Sequence, residues 1–344
     1  MMRKSMLLLV CAVLALPMLG QVMLGQTTLN GAGATFPNPI YSKWFSEYHK
    51  LHSDIQINYQ SIGSGGGIRQ VTEGTVEFGA SDMPMTDDQL REAEGKLKTK
   101  VLNIPTVLGA VVPAYNVPGV SGEIKFTPEV LSGIFLGKIS NWSDAAIAAA
   151  NPGVKFPNQD IIVAHRSDGS GTTFVWTDYL AKVSPDWKAQ VGANTSVKWP
   201  KGMGGKGNEG VSGLIRQLPG SIGYVELIYA VQNNIAYGSV RNSSGDFIKA
   251  TLDGVTAAAA SVPKMPPDYR VSITNAPGKG AYPISSFTWL LIPQQSKDAA
   301  KGKILADFLN WMVSDGQQMT GALSYAPLPE GVVAKVKETI KQVK

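Results

Sequence analysis

The sequence predicts an α/β protein of two lobes, and three observations carry that prediction. Strand-like and helix-like stretches alternate along the chain, glycine- and hydroxyl-rich turns sit where strands hand over to helices, and two apolar, proline-bounded segments are suited to crossing between lobes. Repeated strand-then-helix alternation implies mostly parallel sheets flanked by helices, with ligands at the carboxyl ends of the strands.

In residues 54–62 (DIQINYQSI), Ile55, Ile57 and Tyr59 alternate with polar positions, the period of a strand, and run into the glycine turn 63–67 and a helix-like stretch from Ile68. Residues 77–81 read as a short strand, 86–98 as a helix and 101–104 as another strand. A second set follows, with strands near 161–164 and 222–225 and helices near 172–182 and 211–217. The crossings are 105–113 (PTVLGAVVP) and 282–293 (YPISSFTWLLIP). The expected division is therefore a discontinuous lobe I, 26–107 plus 284–344 with a helical end from Ala299, and a lobe II, 108–283, with a ligand cleft between them.

Residues 1–25 read as a secretory signal peptide: Arg3 and Lys4, then an apolar run over 6–19, then Gly20 and Gly25, with cleavage expected near Gly25 and Gln26. A run of 14 residues falls short of the span of about 20 that a membrane helix needs. The sole cysteine, Cys11, lies inside this run, so a mature chain has neither disulfide nor thiolate chemistry. The apolar run continues eight residues past Cys11, where a lipid-modified cysteine should end it. Export as a soluble protein is expected.

At 344 residues with 44% hydrophobic and 17% charged residues, the chain has ample material for two cores. Lys and Arg number 31 against 26 Asp and Glu, a mild surplus without any dense basic run interleaved with aromatics, so nucleic-acid binding is not expected.

Four short segments carry the chemistry: 31–36 (GAGATF), 62–67 (IGSGGG), 80–82 (ASD) and 166–174 (RSDGSGTTF). The three glycine/hydroxyl segments each precede an amphipathic run, so each reads as a helix start whose free N–H groups and positive dipole end face one anion. Thr35 precedes Ile40, Trp44, Tyr48 and Leu51, which share one helical face, and is placed to cap that helix. A cap that binds nothing and a ligand contact are both open there, and Ser64 has the same two readings. Arg166 offers a planar fork matching two oxygens of a tetrahedral anion, with Asp168 to hold it; the alternative is a surface ion pair beside a turn. Asp82 bears on specificity, because a carboxylate repels an anion unless that anion donates a proton. Phosphate has such a proton near neutral pH and sulfate has none. The alternative for Asp82 is an ordinary turn residue before Met83 and Pro84.

Enzyme motifs fail one by one. Residues 202–207 (GMGGKG) match G-x-G-x-x-G, but Trp199 and Pro200 stand where a strand should precede, and Gly207 replaces the Ser or Thr of a P-loop, so a loop is expected. His49, His52 and His165 form no H-E-x-x-H and have no cysteine partner, so no metal is expected, and His49 and His52 are placed on a solvated helix end. Ser170 has glycines as immediate neighbours rather than two positions away, which is no nucleophile elbow.

Taken together, GAGATFPNPIYSKW, YQSIGSGGGI, FGASDMP, LGKISNW, RSDGSGTTFVWTDYL, VKWPKGMGGKGNEGV and GSIGYVEL resemble, in order and spacing, the periplasmic phosphate-binding proteins of bacterial high-affinity phosphate ABC transporters. The resemblance runs from about Thr28 to Pro329. It implies a two-lobed type II periplasmic-binding-protein fold, a monomer without cofactor or enzymatic activity, that closes over one inorganic phosphate and docks on membrane permease subunits. It also implies the ligand contacts: Thr35, Phe36 through its backbone, Ser64, Asp82, Arg166, Ser170, Gly171 and Thr172, with Asp168 as the partner of Arg166. On residue chemistry alone, another protonatable oxyanion such as arsenate, or a secreted phosphatase using the same cradle, stays open.

Overall fold

The computed structural model describes residues 26–262 and 264–344; the expected signal peptide at 1–25, with Cys11, lies outside the described residues. The strands in chain order are β1 Thr27–Gly33, β2 Ile55–Ser61, β3 Phe78–Ser81, β4 Val101–Asn116, β5 Lys125–Phe126 and β6 Ile162–Arg166. They continue with β7 Met203–Gly205, β8 Ser221–Glu226, β9 Ala236–Tyr237, β10 Ser239–Arg241, β11 Phe247–Ile248 and β12 Ser285–Pro293.

The main sheet runs in the order β2-β1-β3-β12-β4-β8-β6-β7, with β9 also on β4. Its two ends are parallel, β2-β1-β3 on one side and β8-β6-β7 on the other. Between them β12 and β4 run antiparallel to each other and to their neighbours. Thus β4 serves both halves: residues 101–110 pair with β12, and residues 111–116 pair with β8. The two segments expected to cross between lobes, 105–113 and 282–293, lie largely within β4 and β12, side by side and joined where the Val111 amide donates to the Ile284 carbonyl at 2.9 Å and the Tyr282 hydroxyl to the Val111 carbonyl at 2.9 Å. The long strand is buried along nearly its whole length, which is why it reads as a continuous apolar run rather than an alternation. A small second sheet, β11-β10-β5, lies off the main one.

The expected helices are present, and the helical end expected from Ala299 is two helices, Ala299–Met312 and Glu330–Ile340, separated by two short 3-10 turns. Asp87–Leu97 starts on a capping box between Thr86 and Gln89, with Asp87 and Asp88 in its first turn. Asn38–Leu51 buries Ile40, Trp44 and Tyr48 but leaves Leu51 exposed, so the apolar face is one residue shorter than its spacing implied. At its end His52 is exposed as expected, whereas Nδ1 of His49 lies 2.6 Å from the Ile55 carbonyl, part-buried rather than solvated. The C-terminal segment packs onto the first half of the sheet: the Trp44 indole donates to the Gly316 carbonyl at 2.7 Å, and Leu108 bridges Ala326. Among the described residues no helix is long and apolar enough to cross a membrane.

The helix Ser64–Thr72 begins four residues before the predicted stretch and lies unusually close to the sheet. A Cβ on Gly67 would stand 2.5 Å from the Ala80 carbonyl oxygen and 2.6 Å from Cα of Gly33. Backbone has no rotamer with which to yield. Gly67→Ala is therefore expected to destabilise the fold by about 1–3 kcal/mol; an unchanged urea midpoint would refute this close contact.

Candidate anion-binding site

The carboxyl ends of strands from both halves point to one place. β1 leads to Thr35 and Phe36, β2 to Ser64, β3 to Asp82, β6 ends on Arg166, and β7 leads to Asn208. Parallel strands put their carboxyl ends on one edge, where helix N-termini add N–H donors.

On the first half, Thr35 does not cap the following helix. That helix begins at Asn38 with Pro37 at the cap position, and a proline side chain has no acceptor to offer. The buried Thr35 hydroxyl instead accepts bonds from Asn208, from its backbone N–H at 3.2 Å and its Nδ2 at 2.8 Å. Phe36 is fully buried, its carbonyl accepting from the Tyr325 hydroxyl at 2.6 Å. Ser64 opens its helix, and its Oγ accepts from the Asp82 amide at 3.1 Å.

Asp82 is buried. Its Oδ1 accepts from the Thr288 hydroxyl at 2.8 Å, beside the register shift between Thr288 and Trp289 in β12. Its Oδ2 is buried with no hydrogen-bond partner. Burial pushes the carboxyl up to about 7, against the pull of Thr288, Arg166 and Ser64.

On the second half, Arg166 is locked. Its Nε and Nη2 donate to the two oxygens of Asp168 at 2.8 and 2.6 Å, and Nη1 donates to Thr172 Oγ1 at 3.2 Å. Of the five N–H bonds of a guanidinium, this leaves two for a ligand. Burial acts to raise the Asp168 carboxyl, but Arg166 and the Gly207 amide outweigh it and hold it below its usual value. The surface-ion-pair alternative is thereby excluded, since the Arg166 side chain is 1% exposed. Tyr224 fixes the backbone, its hydroxyl accepting from the Arg166 amide at 3.1 Å and bonding Thr173 Oγ1 at 2.6 Å. Ser170 caps the helix Gly171–Val183, accepting from the Thr173 amide at 3.0 Å. The amides of Gly171 and Thr172 have no partner among the described residues, and the same holds for Phe36 and Ser64.

The halves touch at the site. The Gly65 amide donates to the Gly169 carbonyl at 2.9 Å, and the Tyr229 hydroxyl donates to the Thr35 carbonyl at 2.5 Å. A Cβ on Gly171 would lie 2.4 Å from Ser64 Oγ and 2.5 Å from Asp82 Oδ2, so only glycine fits there. Hydrogen bonds thus join Thr35, Thr172, Arg166 and Asp168 through Asn208, while Ser64, Asp82 and the Gly171 position lie against one another, and Phe36 and Ser170 adjoin these groups in the chain.

Two features escaped the sequence. Residues 202–207 are not a loop: β7 is an edge strand on β6, and the helix Gly207–Gln217 follows directly. Its first turn holds Asn208, fully buried and bonded to Thr35, Thr172 and the Glu226 amide. The signal was the Gly-Asn-Glu-Gly sequence at a helix start. Glu226 is also buried in the floor beside Gly109, and burial drives its carboxyl well above the usual range. A separate cavity of about 290 Å³, lined by Glu77, Lys297 and Lys301 among others, includes none of the predicted residues. Among the described residues no group of His, Cys, Asp and Glu is arranged to hold a metal ion.

Between its ordinary 3.8 and about 7, Asp82 keeps a proton in the folded chain that it loses on unfolding. Stability then falls as pH rises through that window. Asp82→Asn, of equal size, removes the fall, so its stabilisation of the ligand-free protein should grow from near zero at pH 4 to at most about 4 kcal/mol at pH 8. A Tm difference independent of pH would contradict the burial argument.

Residues 23–316 match the model of the PBP superfamily domain. The phosphate-binding protein PstS of Xylella fastidiosa is 44% identical over 311 residues, 90% of this chain and 84% of that protein. The phosphate-binding protein PstS of Haemophilus influenzae is 43% identical over 316 residues, 91% of this chain and 92% of that protein. Among solved structures, a high-affinity periplasmic phosphate-binding protein bound with phosphate at pH 8.5 aligns with a TM-score of 0.72 at 22% identity, over 91% of this chain and 93% of that one. A phosphate-binding protein from Stenotrophomonas maltophilia aligns with a TM-score of 0.68 at 19% identity, over 91% and 93%. The fold is that of the type II periplasmic binding proteins, and the chain belongs to the PBP superfamily, within it to the family of the PstS phosphate-binding proteins.

Proposed function

We propose that this protein is a periplasmic receptor for inorganic phosphate that delivers its ligand to the permease subunits of an ABC-type importer, acting as a monomer and not as an enzyme. One observation carries the choice of ligand: Asp82 Oδ2, a buried acceptor with no partner, lies against the Gly171 position at the start of a helix. An unpaired buried acceptor is costly unless the ligand donates to it. A protonated phosphate oxygen does so, and fully ionised sulfate cannot.

In this reading the contacts are the hydroxyls of Thr35, Ser64, Ser170 and Thr172, the amides of Phe36, Ser64, Gly171 and Thr172, the free N–H bonds of Arg166, and Asp82. Asp168 neutralises Arg166, so the anion is held by dipoles more than by net charge. The lobes are 26–107 plus 284–344 and 108–283; they part about the β4–β12 crossing to admit the ligand and close on it. The close homology to PstS proteins supports the transport role.

Titration of the phosphate-stripped chain at pH 8.5, where Asp82 is mostly ionised, should give one-to-one phosphate binding and far weaker sulfate binding; heat from neither would overturn the proposal. Arg166→Ala should weaken phosphate by roughly 10- to 150-fold, the equivalent of about 1.5–3 kcal/mol for a charge-assisted bond. Because Asp82 gains a donatable proton as pH falls through about 7, sulfate affinity should rise between pH 8.5 and 5.5 while phosphate affinity changes little. Asp82→Asn should admit sulfate already at pH 8.5. Sulfate binding that ignores both pH and this substitution would remove Asp82 from selectivity.

A further inference from the structure

Asn208 lies between the halves without being among the ligand contacts proposed above. Its amide is fully buried, and its orientation is set from behind: the Glu226 backbone N–H, which can only donate, reaches Oδ1 at 2.9 Å. Nδ2 must then face the other way, where it donates to Thr35 Oγ1 at 2.8 Å and to Thr172 Oγ1 at 3.2 Å.

A hydroxyl has one proton to give and two lone pairs to receive with. Both lone pairs of Thr35 Oγ1 are taken by Asn208, through its Nδ2 and its backbone N–H. Both lone pairs of Thr172 Oγ1 are taken as well, by Arg166 Nη1 and Asn208 Nδ2. The only capacity left to either hydroxyl is donation. Ser64 Oγ and Ser170 Oγ each accept a single bond, from the Asp82 and Thr173 amides, and keep a free lone pair.

We propose that Asn208 is a positioning residue that fixes the polarity of the anion site, turning Thr35 and Thr172 into obligate donors and leaving Asp82 as the acceptor for a ligand proton. The inference rests on the phosphate reading above. Because Thr35 lies on the first half of the sheet and Asn208 on the second, the polarity of Thr35 is completed only when the halves meet. Closure therefore strengthens the site as well as covering it.

The test is a thermodynamic cycle read by titration with inorganic phosphate, with thermal unfolding of each ligand-free variant as a check on folding. Asn208→Ala in the wild-type background should weaken phosphate by about tenfold, the equivalent of about 1.4 kcal/mol. In a background carrying Thr35→Val and Thr172→Val, which have no hydroxyl to orient, the same substitution should change affinity less than twofold. Equal losses in the two backgrounds would overturn the proposal, since Asn208 would then act by packing or by touching the anion itself. If Asn208→Ala lacks a cooperative unfolding transition, a cycle built on Asn208→Ser reads the same coupling. A wild-type chain that takes up no phosphate would bring down the phosphate reading itself, a result distinct from additivity in the cycle.

Discussion

The antiparallel ladder between β4 and β12 is the constraint on which the rest of the molecule depends. One strand of 16 residues, Val101–Asn116, belongs to both halves of the sheet, and β12 returns alongside it. Each parallel half is built by strand-helix alternation, which places every strand's carboxyl end on one edge. The shared strands set those two edges facing each other. Arg166 and Asp82, 84 positions apart in sequence, are brought into one electrostatic environment by this arrangement. The register shift at Thr288 sits in the same ladder, and Thr288 is the residue that anchors Asp82.

The electrostatics of the site follow from burial. An arginine this deep needs a partner, and Asp168 takes two of its N–H groups. The pair supplies direction more than charge. What remains for an anion is a shell of amide and hydroxyl dipoles at the starts of two helices, plus one carboxylate that burial has made reluctant to ionise. In the proposed reading that carboxylate is the discriminating element, because it reverses the hydrogen-bonding sense at one point of an otherwise donating surface. Asn208 acts on the same property from outside the shell, through the hydroxyls it saturates.

The fold class was legible in the sequence because it lies in local signatures, period-two strands and glycine turns before apolar helical faces; these also marked the segments of the candidate site, whereas its nine residues as a set came from the resemblance to a family. The failures were also local in origin. Thr35 has the chemistry of an N-cap and the spacing of one, yet its hydroxyl is claimed by Asn208, 173 positions away. Residues 202–207 have no β-branched residue and too much glycine to read as a strand, and β7 exists because β6 offers it an edge.

The sequence by itself determined the elements, their order and the residue types suited to an oxyanion, since helix starts, turns and amphipathic faces depend on neighbours a few positions apart. Only the tertiary structure decided which lone pairs are already filled, which amides are free, and that Asp82 Oδ2 has no partner. Those facts are properties of groups brought together from both halves of the chain, and hydrogen-bond saturation and desolvation are set by what lies within a few ångströms in space.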